Sequence, residues 1–132
     1  AIGTTSGDIY LLDANGYSRQ KLVGHRSEIT DLCFNNDFLF SSSYDRIVNL
    51  WDADAANSEA VALRDLAGWA YCLSNADDDV IYVGDESGTV SRFIISTGAM
   101  ARQIQKALKR DFTDDEWNYY IGNNVPRVTF KN

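Results

Sequence analysis

The sequence predicts an all-β chain of repeated four-stranded antiparallel units, followed by a short helical segment. Three observations carry this. Residues 28–66 hold four short strand-like stretches separated by turn residues. The turn-and-strand segment at 45–52 has echoes at 6–13 and 87–94. After Ser96 the apolar residues Met100, Ile104 and Leu108 recur at helical rather than strand spacing.

The middle unit is the clearest. Residues 28–34 alternate polar and apolar, and Ile29, Leu32 and Phe34 are available for a buried face. Asn35-Asn36-Asp37 is a turn signal. Phe38-Leu39-Phe40-Ser41-Ser42-Ser43 is a second strand, apolar and then hydroxyl-rich. Tyr44-Asp45-Arg46 is a second tight turn. Ile47-Val48-Asn49-Leu50-Trp51 is a third strand, β-branched at its start and aromatic at its end. Residues 60–66 supply a fourth.

Gly24-His25 before the first of these strands and Trp51-Asp52 at the end of the third resemble the WD40 repeat, one blade of a β-propeller. Ile9, Val48 and Val90 occupy matching positions, 39 and 42 residues apart, near that repeat's period of about 40–45 residues. In the outer copies Leu12 and Phe93 take the Trp slot, and Gly68-Trp69 takes the Gly-His slot. The resemblance implies an incomplete WD40-type β-propeller of about three blades over residues 1–95, the first incomplete. Residues 96–132 form a C-terminal helical and extended segment that packs on the blades. The resemblance also implies a structural hydrogen-bond network of His25, a strand serine, Asp45 and Trp51. Ser41 and Ser43 both qualify, because they lie on one face of a strand.

A chain of 132 residues is too short for a closed propeller, which needs at least four blades of about 40 residues each. Residues 1–5 read as the second strand of a blade already under way. The expectation is the C-terminal portion of a larger prokaryotic WD-repeat protein. Open strand edges and apolar residues such as Leu11, Leu12, Phe93 and Ile95 on an open face should then pair with missing blades or a second copy.

The formal net charge of −7 argues against a nucleic-acid or anionic-membrane surface. Acidic clusters at Asp52/Asp54, Asp77-Asp78-Asp79 and Asp111/Asp114/Asp115/Glu116 read as turns and a helix start, since none has the ligand pattern of a calcium loop. No metal and no cofactor is expected. No run approaches the roughly 18 apolar residues of a membrane span, and a cytoplasmic location is the expectation. Cys33 and Cys72, 39 residues apart, read as buried thiols at equivalent strand positions, close enough for a disulfide to stay open.

In the C-terminal segment a helix is predicted over 99–109, with 99–108 as an outer strand the alternative. Lys106, Lys109 and Arg110 suit the helix end. Thr113 and Glu116 form a capping box, and Phe112 and Trp117 a hydrophobic staple, for a second helix over 114–121 ended by Gly122. Residues 125–130 read as extended, and Pro126 keeps them from a central strand. Arg110-Asp111-Phe112-Thr113-Asp114-Asp115-Glu116-Trp117-Asn118-Tyr119-Tyr120-Ile121-Gly122 resembles a tail that follows the WD repeats of many large bacterial proteins. That tail is an Arg-Asn-Leu-Thr-x-x-Glu-Trp-x-x-Tyr-like run. Trp117, Tyr119 and Tyr120 are either an interaction patch or a plug under the blades.

His25, Ser41 or Ser43 and Asp45 have the makings of a hydrolase triad. The WD-repeat reading assigns the same residues to a buried structural role. No nucleotide, metalloprotease or nucleophile-elbow motif is present. The predicted function is a non-enzymatic protein–protein interaction scaffold. The alternative is a propeller that binds a small molecule or carries catalysis in its central channel, for which the inner strands offer only Glu28, Thr30, Asp31 and Ser74.

Overall fold

A computed structural model describes residues 1–56, 58–63, 66–108 and 112–122. Strands β1 (Ile2–Gly3), β2 (Asp8–Leu12) and β3 (Ser18–Val23) form a three-stranded sheet. Strands β4 (Ile29–Asn35), β5 (Phe38–Ser43), β6 (Val48–Asp52) and β7 (Val61–Leu63) form a four-stranded one. Strands β8 (Ala70–Asp77), β9 (Val80–Asp85) and β10 (Val90–Ile94) form the third. Every pairing is antiparallel and joins neighbours in sequence. This is an incomplete propeller. The middle blade has four strands, the first has the counterparts of β5–β7, and the third those of β4–β6.

The repeat keeps one register at the β1–β2, β5–β6 and β9–β10 hairpins. Gly3 pairs with Ile9, Ser42 with Val48 and Gly84 with Val90 at the same point of each blade. The turn just before carries a left-handed residue in all three, Gly7 at φ 89°, Arg46 at φ 67° and Gly88 at φ 78°. Two blades meet that need with glycine. Arg46 meets it at a cost of about 1 kcal/mol.

Alternation along the strands gives each blade two faces. Ile9, Leu11 and Leu22 of the first blade pack with Leu39 and Trp51 of the second. Phe40 and Val48 on the second blade pack with Ala70, Leu73, Ile81 and Val83 of the third. Phe93 and Ile95, half-buried, pack on that core. Leu11, Phe93 and Ile95 therefore do not meet water on an open face as expected. Leu11 shares the face of Ile9, and Phe93 faces back toward the second blade. Leu12, one residue on, points the other way and is exposed, as are Ile2 and Val23 on the same blade.

The thiols also differ from expectation. Cys33 and Cys72 are both free, and Cys72 is exposed. Cys33 pairs with Phe40 and Cys72 with Gly84. Gly84 corresponds to Ser42, whose partner is Asp31. The counterpart of Cys72 is thus Asp31, and a spacing of 39 misses the true register by two residues.

Helices α1 (Thr97–Leu108) and α2 (Asp114–Tyr120) follow the blades, so the outer-strand alternative for 99–108 does not hold. The first starts earlier than its apolar spacing suggests because Ser96 caps it, its hydroxyl accepting from the Ala99 N–H at 3.1 Å. Ser96 also hydrogen-bonds Asp79, and the Arg102 guanidinium meets Asp79 at 2.6 Å, which ties the helix to the β8–β9 turn. The second helix carries a capping box, Thr113 accepting from Glu116 N–H and Glu116 accepting from Thr113 N–H. Phe112 and Trp117 stack edge to face at 6.0 Å and share a small core with Ala101. The readings on Lys109, Arg110, Asp111 and residues 125–130, with Pro126, lie outside the described residues.

Candidate functional site

The residues with the strongest chemical signature converge between the first and second blades. Trp51 Nε1–H donates to Ser41 Oγ at 2.8 Å, and Ser41 Oγ lies 2.8 Å from His25 Nε2. His25 Nδ1 lies 2.9 Å from Asp45 Oδ2. A carboxylate only accepts, so Nδ1 carries the hydrogen, and in the neutral ring Nε2 then accepts from the Ser41 hydroxyl. Proton by proton, the chain runs Trp51 to Ser41 to His25 to Asp45. Asp45 accepts further from Arg26 N–H at 2.9 Å and Ile47 N–H at 3.0 Å. Burial alone would raise its carboxyl, but the Arg26 N–H, the His25 ring and the Ile47 N–H outweigh it and hold its pKa below the ordinary aspartate value.

Ser43 is not in this chain. Its hydroxyl donates to Ser27 C=O and accepts from Asp45 N–H, both at 3.1 Å, and so fixes the turn that aims Asp45. Gly24 serves the same geometry. A Cβ there would come within 2.8 Å of the Trp51 ring.

The geometry of Ser41, His25 and Asp45 matches a hydrolytic triad in connectivity. Its surroundings do not suit one. Ser41 has no exposed surface and Trp51 is 1% exposed. The Ser41 oxygen is held on one side by an indole N–H and on the other by imidazole, leaving no approach for a carbonyl carbon.

The inner-strand residues are spent in a similar way. Thr30 Oγ1 donates to Ala70 C=O at 2.7 Å, and Asp31 Oδ2 accepts from Leu73 N–H at 2.8 Å. Asn35 and Asn75 reach across in opposite directions, to Asp77 C=O at 3.1 Å and Phe34 C=O at 3.0 Å. These four bonds stitch β4 to β8. Sequence reasoning treated Asn35 as a turn residue and missed them. Glu28 and Ser74 stay exposed. Among the described residues no group of three or more His, Cys, Asp or Glu side chains is placed to hold a metal. No helix among them is long and apolar enough to cross a membrane.

The C-terminal aromatics separate. Trp117 is 3% exposed and lies in the helical core, whereas Tyr119 and Tyr120 are exposed with their rings 4.9 Å apart. A second aromatic group has no counterpart in the sequence analysis. Tyr44, in the β5–β6 turn, stacks on Trp69 at 5.6 Å and on Tyr71 at 5.9 Å, and all three are exposed. The only sequence signal was Trp69 standing in the loop slot that His25 occupies one blade earlier.

Comparison with known proteins agrees with this architecture. No curated protein matches the chain. Among solved structures the computationally designed Ika4 protein is similar at 26% identity and a TM-score of 0.59, over 71% of this chain and 58% of that one. The designed Ika8 protein is similar at 23% identity and a TM-score of 0.62, over 70% of this chain and 29% of that one. A chain of the mitotic checkpoint complex is similar at 19% identity and a TM-score of 0.65, again over 70% and 29%. The last two show the fold alone. The chain spans less than two thirds of the length of each of these structures. The family model "WD domain, G-beta repeat" matches residues 16–52, the stretch that holds Gly24-His25, Ser41, Asp45 and Trp51-Asp52. That match supports a WD40 repeat at residues 16–52 of this chain, and the structural neighbours agree with it in fold.

Proposed function

We propose that the chain is a non-enzymatic protein–protein interaction scaffold, part of a WD40 propeller that offers its loops and edges for docking. The observation that carries this is the fully buried Ser41, whose oxygen is held between Trp51 and His25. A Ser-His-Asp set arranged this way braces two blades and has no access to substrate. A fluorophosphonate probe applied to the folded protein is expected to leave Ser41 unlabelled. Labelling at Ser41, lost in Ser41→Ala, would replace the scaffold reading with a hydrolase.

The reading includes a prokaryotic origin, which the C-terminal tail resemblance supports, and a cytoplasmic location. The β1 and β10 edges carry no neighbouring strand among the described residues, and Ile2, Leu12, Val23 and Val90 are exposed. Unpaired edges and apolar faces of this kind associate. Sedimentation at micromolar concentration is expected to show the isolated chain as a dimer. A clean monomer that binds no apolar dye would sink the pairing.

A further inference from the structure

The exposed ring cluster of Tyr44, Trp69 and Tyr71 lies at the junction of the second and third blades. Tyr44 comes from the β5–β6 turn, Trp69 from the residue before β8, and Tyr71 from the second residue of β8. They are 37%, 47% and 46% exposed. The middle ring, Tyr44, meets Trp69 at a tilt of 58° and Tyr71 at 90°. Edge-to-face contacts of this kind hold each ring in place while leaving aromatic faces to water. The backbone beneath is fixed as well. Tyr44 N–H donates to Glu28 C=O at 3.2 Å, and Glu86 N–H donates to Trp69 C=O at 3.0 Å. A rigid aromatic surface loses little entropy when it is covered, which is what a docking anchor needs.

The surrounding charge selects the partner. Glu86 lies against Gly68, the neighbour of Trp69, so closely that a Cβ on that glycine would come within 2.7 Å of its carboxylate oxygen. Glu28, whose backbone carbonyl takes the Tyr44 N–H, is exposed. The chain as a whole carries a formal charge of −7. Aromatic faces are themselves the negative part of the ring quadrupole and attract cations. Arg26 and Arg46, also exposed, belong to the loop and turn that hold Asp45, whose carboxylate takes the Arg26 N–H.

We propose that Tyr44, Trp69 and Tyr71, flanked by Glu28 and Glu86, form the docking surface for a basic segment of a protein partner, with a lysine or arginine side chain laid on the exposed rings. The inference rests on the scaffold reading and names its partner chemistry.

Of the three tryptophans, Trp51 and Trp117 are 1% and 3% exposed, so acrylamide quenching reports Trp69. The test titrates the intact chain with three ten-residue peptides: one alternating arginine, lysine and glycine, one with glutamate in place of the basic residues, and one of glycine, serine and leucine. The basic peptide is expected to protect the tryptophan signal from acrylamide, and the other two are not. Its affinity should fall at least tenfold in Tyr71→Ala and severalfold in Glu86→Gln, with melting temperature unchanged in both. Arg26→Glu should tighten it. An affinity unchanged by Tyr71→Ala would show diffuse attraction to the net charge and overturn the site. Equal protection by the uncharged peptide would overturn the basic partner and leave an apolar docking surface. Protection by none of the three would overturn the proposal. The scaffold reading falls only to labelling of Ser41, so the two failures are distinguishable.

Discussion

Replacing Trp51 with alanine is expected to destabilise the chain by about 3–5 kcal/mol, the usual cost of emptying a buried aromatic site. Trp51 is 1% exposed and packs with Ile9, Leu11, Leu22 and Leu39 in the core between the first and second blades. Its removal opens that interface and withdraws the indole donor from Ser41. Trp51→Phe keeps most of the ring and should cost about 1–2 kcal/mol. The third blade shows how the pair can be replaced. There Val83 stands where Ser41 does and Phe93 where Trp51 does, as the strand registers show. Ser41→Val alone strands two groups, the Trp51 N–H and the His25 Nε2. Adding Trp51→Phe removes the first of these. A double-mutant cycle by urea unfolding is therefore expected to give a double variant less destabilised than the sum of the singles, by about 1 kcal/mol. Additive costs would mean that Ser41 and Trp51 do not share one network.

Much of this interface was legible in the sequence because its signature is local in the repeat. Gly24-His25, Asp45 and Trp51 fall at fixed spacings within one blade, and the echoes around Ile9 and Val90 carry the period outward. What the sequence left open were questions of depth and convergence. Ser41 and Ser43 share a strand face, so alternation could not choose between them, and only the 2.8 Å approach to both His25 and Trp51 does. A count of residues between Cys33 and Cys72 made them equivalents. The blades differ by two residues before the inner strand and carry irregularities after Ile29 and Ala70, which a count cannot see. The stitching of Thr30, Asp31, Asn35 and Asn75 to the neighbouring blade's backbone has no periodic signal. The same holds for the meeting of Tyr44 with Trp69 and Tyr71, which depends on loops brought together by the propeller itself. The capping box at Thr113 and Glu116 lies at the other extreme. Its whole geometry is contained in four residues, so the sequence alone placed it.

Replacing Asp45 with alanine is expected to cost about 1–3 kcal/mol at neutral pH, since it leaves a buried donor of His25 without an acceptor. The N–H groups of Arg26 and Ile47 lose the same carboxylate. The aspartate's side chain is 8% exposed, and the His25 ring it holds is fully buried, so water does not readily replace it. The pH dependence follows from the direction of its shift. Arg26, His25 and Ile47 hold the folded pKa below the ordinary value in spite of burial. A carboxylate with a lowered folded pKa binds protons more readily when the chain is unfolded. Its stabilisation is therefore full above the unfolded value of about 4 and is lost as pH falls through the lower, folded value. Asp45→Asn keeps the shape and cannot ionise. The gap between the unfolding free energies of the two proteins should be larger at about pH 5 than at about pH 3, closing as pH falls below about 4. A gap that stays level or widens toward pH 3 would mean that Asp45 enters the folded state without the advantage that these three hydrogen bonds confer. The His25 network would then owe its stability to packing around Trp51 alone.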